Sequence, residues 1–252
     1  MIAFAVIFLA GVVAGAINSI AGGGTLISFP ALLWLGRDPI LANATNTVAI
    51  WPGSLAGAYG FREELSTVRR WLLLLVIPSI LGGALGGWLL LRTPASTFKT
   101  LVPWLILGAT LLLAFQEMIS RHLPTGDNRQ PTTVSRIAVL VFQFLVGLYG
   151  GYFGAGMGIL MLAALGLIGL TDMHQMNGLK NVLAVCINGV AAIYFVLAQS
   201  VVWSDVLVMM LGTIVGGFFG ARLARRLGRT FVRRFVVAIG FGMALLLWLR
   251  GL

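Results

Sequence analysis

Ten apolar runs dominate this chain, at roughly residues 2–17, 25–36, 43–61, 71–91, 100–119, 134–153, 157–170, 178–197, 201–221 and 231–250. Runs approaching 20 apolar residues, separated by short charged loops, have the length needed to cross the hydrocarbon of a bilayer. Backbone polar groups find no water there, so a spanning segment is either a helix or part of a closed barrel. Barrel strands alternate apolar and polar residues over about ten positions, whereas these runs are apolar on every face. The expected fold is therefore all-α and polytopic, with the lipid bilayer as its first partner. The longest polar stretch, Arg121 to Arg136, is too short for a soluble domain, and no GxxxxGK[ST] phosphate loop occurs.

The net charge of +10 reads the same way. The arginines gather between apolar runs, as cytoplasmic loops require, and this is not the footprint of a nucleic-acid binder. Cys186 is the single cysteine, so thiols build neither a disulfide framework nor a metal site, and no cofactor is expected. The N-terminal "MIAFAVIFLAGVVAGA" lacks a basic leader, which argues against a cleaved signal peptide.

Glycines interrupt the pattern twice. "NSIAGGGTLISFP" (Asn18–Pro30) separates the first two short runs, and "FGAGMG" separates 134–153 from 157–170. Offsetting the chain by 135 residues, without gaps, superposes Gly15 on Gly150, Gly23 on Gly158, Asn46 on Asn181, Ala49 on Ala184 and Tyr59 on Tyr194. There are eight identities in the 46 pairs from Ala14 to Tyr59. With a five-residue shortening, Gly82, Gly86, Gly87 and Arg92 fall on Gly212, Gly216, Gly217 and Arg222. This order of features reads as an internal duplication.

Charge counting sets the topology. If each glycine-broken pair is a re-entrant hairpin, each half makes three crossings and the halves are inverted. Loops 62–70, 121–136, 171–180 and 222–234 then share one side and carry thirteen of the 17 basic residues. Arg37, Arg92, Lys99 and Arg250 fall on the other. Treating each broken pair as one span makes the halves parallel and splits the charge ten to seven, a poor bias. The expectation is two inverted repeats, each a glycine-broken re-entrant helical hairpin plus three transmembrane helices. Residues 1–120 form the first repeat, 121–133 a cytoplasmic linker and 134–252 the second. Gly82-xxx-Gly86, Gly83-xxx-Gly87, Gly212-xxx-Gly216 and Gly216-xxx-Gly220 are small-residue faces for close helix packing.

Broken helices in inverted repeats meet near the midplane and bind solute there. Helix N-termini favour anions, and glycine lets a ligand approach the backbone. Asn18, Gly22, Gly23, Gly24 and Thr25 in the first break, with Gly154, Gly156 and Gly158 in the second, are candidate ligands; close packing at a tight turn is the competing account. Downstream, Thr45-Asn46 superposes on Lys180-Asn181, close to Asn177. The two asparagine amides suit a sulfonyl or carboxylate oxygen. Lys180 is a cation at an intramembrane helix start, or else an interfacial residue reaching for headgroups. Asp172 and His174 can relay protons or sit in a solvated loop. Asn18, Asn188 and Gln143 also fit simple helix–helix hydrogen bonding. No nucleophile–base or metal-ligand spacing appears, so no enzyme is expected.

"AGAINSIAGGGTLISFPALLWLG…DPILANATNTVA" and "GLYGGYFGAGMGILMLAALGLIGLTDMHQMNGLKNVLA" together resemble the TauE/SafE sulfite exporter family (the TSUP permeases) over nearly the whole chain. The resemblance implies a multi-pass transporter of the prokaryotic inner membrane carrying sulfite, sulfonates or related sulfur-containing anions. A homodimer stays open.

Moving a negative charge out of a cell that is negative inside releases about 2.3 kcal/mol per 100 mV. Export needs no coupling ion, and no Asp or Glu lies deep in an apolar run to support proton-coupled uptake. Export by alternating access is therefore the expectation. A membrane accessory protein or a passive anion channel is the alternative.

Overall fold

The computed structural model describes residues 2–20, 23–60, 65, 68–115, 118, 133–167, 170, 172–227 and 229–249. Each apolar run becomes a helix. The order is α1 (Ile2–Ile20), α2 (Thr25–Trp34), α3 (Pro39–Gly60), α4 (Arg69–Arg92), α5 (Ala95–Ala114), α6 (Thr133–Tyr152), α7 (Met157–Leu167), α8 (Met173–Leu197), α9 (Trp203–Leu227) and α10 (Arg229–Leu249). No strand occurs among the described residues. Among the described residues, three helices, Arg69–Arg92, Ala95–Ala114 and His174–Leu197, are long and apolar enough to cross a membrane. The fold is that of an all-helical, multi-pass membrane protein. Gly22 and most of the 121–133 linker lie outside the described residues.

Several helices begin before their apolar run does, because polar groups build the first turn. Asp38 accepts hydrogen bonds from the N–H groups of Ile40 (2.9 Å) and Leu41 (3.3 Å) ahead of α3. Asp172 does the same for His174 (2.7 Å) and Gln175 (3.4 Å) ahead of α8. These carboxylates satisfy orphan N–H groups and complement the helix dipole. Asp172→Ala should cost about 1 kcal/mol, visible as a lower melting temperature in detergent with no change in helical content.

Glycine decides which helices meet closely. α1 crosses α9 with Gly11 beside the Met209 carbonyl (2.6 Å from an added Cβ), Gly15 beside that of Thr213, Gly212 beside that of Phe8 and Gly216 beside that of Val12. α4 crosses α6 likewise, with Gly82 on the Phe144 carbonyl, Gly86 on that of Leu148 and Gly151 on that of Gly83. Small residues that let backbones touch replace the hydrophobic drive that lipid removes. Further packing recurs when the halves are exchanged: α3 lies against α9 as α8 does against α4, and α3 also packs on α8 and α5 on α10.

Aromatic and aliphatic side chains fill the centre. Phe29, Phe98, Phe153 and Phe195 are fully buried in one cluster. A second cluster gathers Leu75, Met161, Leu165 and Leu183.

Candidate functional site

The two glycine breaks are differently built. In the first, the side-chain oxygen of Asn18 accepts the Gly24 N–H at 2.9 Å. The carbonyls of Gly23 and Gly24 accept from Leu26 (3.1 Å) and Ile27 (2.9 Å), starting α2. A Cβ on Gly24 would collide with the Ala14 carbonyl, so close packing by itself requires glycine there. In the second break, the Tyr149 carbonyl accepts from both Phe153 (2.8 Å) and Gly154 (3.1 Å), ending α6. Gly154 and Gly156 take φ of +76° and +74°, the left-handed region that glycine enters at little cost. The Tyr149 hydroxyl donates to the Ala155 carbonyl at 2.6 Å and fixes the loop. Phe29 of α2 packs edge-on against Phe153, with ring centroids 5.3 Å apart, and brings the two breaks together.

A small cleft of about 40 Å³ lies where these breaks face the middles of α3 and α8. The first break contributes Asn18 and Thr25, and the second Phe153, Gly154, Met157 and Gly158. From α3 come Thr47, Ile50, Gly53 and Ser54; from α8 come Lys180, Asn181, Ala184 and Asn188.

The chemistry of this lining is weighted toward donors. Lys180 is only 2% exposed, and its ammonium donates to the Asn177 side-chain oxygen at 3.1 Å. That degree of burial differs from a lysine reaching out to headgroups. The Asn18 oxygen is occupied by Gly24, which leaves its amide N–H groups as the part able to serve a ligand. Asn181 is 7% exposed, and its side-chain nitrogen is buried without a hydrogen-bond partner. The backbone N–H groups of Thr25 and Gly158, in the first turns of α2 and α7, have no acceptor among the described residues. No carboxylate lines the cleft among the described residues. An ammonium, the orphan side-chain nitrogen of Asn181 and two helix N-termini, with no acid among the described lining residues, suit an anion. Ile50, Phe153, Met157 and Ala184 give one wall an apolar surface.

Of the residues singled out from sequence, Asn18, Thr25, Gly154, Gly158, Lys180 and Asn181 meet at the cleft. Gly23, Gly24 and Gly156 shape the breaks but do not line it. The Gly24 N–H, expected to face an anion, is instead taken by Asn18. Asn177 holds Lys180 from outside the lining. Thr45 lies off the cleft, its hydroxyl accepting the Val202 N–H at 3.0 Å. Asn46 is 1% exposed and also off the cleft, with both polar atoms of its amide lacking a partner. Asp172 and His174 sit exposed at the start of α8, as a helix cap and its neighbour.

Thr47, Ser54, Ile50, Phe153, Met157 and Ala184 escaped sequence reasoning, and Asn188 was read there as packing glue. Hydroxyls and apolar side chains inside apolar helices look like core. The available signal was helical spacing: Asn181, Ala184 and Asn188 form one stripe, and Thr47, Ile50 and Ser54 another.

Away from the cleft, the α2–α3 connection is tied to the start of α9. Arg37, in the α2–α3 connection, makes two hydrogen bonds to Asp205 at the start of α9, Nε to Oδ2 at 2.7 Å and Nη2 to Oδ1 at 3.1 Å. Asp205 is wholly buried and Arg37 is 39% exposed. Hydrogen bonding to Asp205 raises the Arg37 pKa, against the opposing pull of burial, so the guanidinium stays charged at any physiological pH. A paired fork of this kind is geometrically specific as well as strong.

The sequence model of the family described as sulfite exporter TauE/SafE matches residues 7–247. A probable membrane transporter protein of Haemophilus influenzae is 33% identical over 240 residues, covering 95% of this chain and 92% of its own. A probable membrane transporter protein, ORF9, of Sinorhizobium sp is 28% identical over 254 residues, with 96% and 90% covered. The probable membrane transporter protein YfcA of Escherichia coli K12 is 27% identical over 242 residues, with 95% and 87% covered.

Proposed function

The chain belongs to the sulfite exporter TauE/SafE family, and from that premise we propose that it carries sulfur-containing oxyanions, sulfite or organosulfonates, out across the bacterial inner membrane. It is a membrane transporter and not an enzyme. The anion binds in the cleft between the glycine breaks, held by Lys180, Asn181, Asn18, Thr25 and Gly158. The two halves act as inverted repeats, with α1–α2 and α6–α7 as re-entrant hairpins, and one half rocks against the other.

The observation that carries this reading is the buried Lys180 beside the unpartnered Asn181 side-chain nitrogen, in a cleft with no carboxylate among its described lining residues. An orphaned buried donor costs about 1–3 kcal/mol, and an oxyanion in the cleft supplies the missing acceptor. The direction follows from the membrane potential, which drives an anion outward without a coupling ion.

The deciding experiment is efflux from reconstituted vesicles loaded with sulfite, sulfoacetate or sulfate. Release of sulfite or sulfoacetate faster than from protein-free vesicles supports the proposal. No acceleration for any of them overturns it in favour of an accessory protein, and ohmic, non-saturating release overturns it in favour of a channel. Asn181→Leu gives a second check, because it removes the orphan donor without removing volume. The variant should melt no lower than the wild type without anion, yet lose the upward shift that sulfite gives the wild type.

A further inference from the structure

The cleft is asymmetric in a way the duplicated sequence is not. At the 135-residue offset, Lys180-Asn181 corresponds to Thr45-Asn46. The first pair lines the cleft; the second does not. Asn46 is the more telling of the two. It is 1% exposed, on an antiparallel neighbour of α8, and both its side-chain nitrogen and oxygen are buried with no partner. Burying an amide with neither end bonded is costly, and packing alone does not call for an amide there.

The surroundings say what keeps Asn46 sealed. α3 and α8 run antiparallel, with Thr45 beside Val202 at one end and the Trp51 indole bonded to the Val185 carbonyl (3.0 Å) further along. The cleft takes residues 47–54 of α3 and 180–188 of α8, the middle of both helices, with Lys180 and Asn181 on the side where α8 begins. The other end holds the start of α3, the start of α9, the Arg37–Asp205 fork and the Thr45–Val202 bond. Asn46 lies one residue beyond Thr45 and one before Thr47 of the cleft lining, on the side of that fork. At the pseudo-equivalent positions Arg37 maps to Asp172, which caps its own helix. The two pseudo-equivalent positions therefore do different work, Arg37 bridging to another helix and Asp172 capping its own.

We propose that Asn46 is a binding residue of a second state, which opens at the Arg37 end, and that the Arg37–Asp205 fork is the latch holding that end shut. In the present state Asn181 serves the cleft and Asn46 waits unpartnered. When the fork and the Thr45–Val202 bond part, Thr45 and Asn46 come to the cleft and Lys180-Asn181 is covered in turn. The latch side faces outward on the charge-based topology. The inference rests on the transporter reading for its purpose, but the opening itself is readable without any substrate.

The test is thiol accessibility in a Cys186→Ala background. Asn46→Cys and Asn181→Cys are made singly, and right-side-out and inside-out membrane vesicles are treated with a membrane-impermeant maleimide. Sulfite is left out, since it consumes the reagent. With the latch intact, Asn181→Cys reacts from the inside and Asn46→Cys is slow from either side. Adding Arg37→Ala should raise the outside labelling of Asn46→Cys about tenfold, as the open population rises, and slow that of Asn181→Cys. Arg37→Lys, which keeps the ionic contact, should raise it less. Thr45→Cys serves as a second reporter should Asn46→Cys fail to assemble. Outside labelling of either reporter that Arg37→Ala leaves unchanged overturns the proposal, as does labelling of Asn46→Cys from the inside. Because no solute is present, a protein that opens in this way yet moves no sulfur anion in the efflux assay would overturn the assigned function and leave the latch standing.

Discussion

If the chain carries the proposed anions, Lys180→Ala should lower sulfite or sulfonate transport about a hundredfold and abolish thermal stabilisation by either anion. The ammonium is 2% exposed and reaches the cleft, where low dielectric makes its attraction for an oxyanion far larger than at a surface. Losing one member of a buried, hydrogen-bonded charge pair costs about 2–5 kcal/mol, and two factors of ten correspond to about 2.8 kcal/mol. Lys180→Arg should not restore transport, because a planar fork needs more room than a compact ammonium. Lys180→Met separates binding from folding. Ammonium burial is itself expensive, so this variant should melt no lower than the wild type without anion while gaining nothing from its addition. Full transport by Lys180→Ala would remove the lysine from the site.

The second large effect is on assembly. Gly216→Leu and Gly86→Leu should yield almost no monodisperse protein in detergent. Even a single Cβ at these positions runs into the carbonyls of Val12 and Leu148. The obstruction is backbone, so it does not swing aside as a side chain would. Overpacking a tight core costs about 1–3 kcal/mol for a few extra atoms, and a whole leucine between two touching helices separates them. Gly108→Ala and Gly242→Ala are the matched controls, since an added Cβ there meets nothing within 4 Å. These should fold at least as well as the wild type, because alanine is the better helix former by about 1 kcal/mol. Normal yield of Gly216→Leu would show that α1 and α9 do not cross as described.

The helices were legible in the sequence because lipid imposes a single rule, apolar on every face, and the chain obeys it ten times. Their starts were less so: the first turns of α3 and α8 are polar, governed by Asp38 and Asp172 as caps and not by hydropathy. The site was legible where its residues violate that rule, as Lys180, Asn181, Asn18 and the two glycine breaks do. It was illegible where they obey it, since Met157, Phe153 and Ile50 look like any other apolar position. Gly24 shows a different limit. Its residue type suggested an open N–H, but only coordinates reveal that Asn18 had already claimed it. Arg37 was visible merely as a stray outward charge, for its partner Asp205 lies 168 positions away.

The glycine crossings have a consequence for how the protein is made. Of the ten helices described, α1 leaves the ribosome ahead of the others, and the helix whose backbone it touches, α9, comes ninth. Val12 and Gly216 are some 200 residues apart, which at ordinary elongation rates is roughly 10–40 s of translation. For that interval α1 displays an unmet glycine face to the lipid and to the insertion machinery. α4, whose partner α6 follows closely, waits far less. A chain cut short before α9 leaves its first helix unmatched. The ribosome must therefore carry synthesis past α9 before quality control can tell a sound α1 crossing from a failed one.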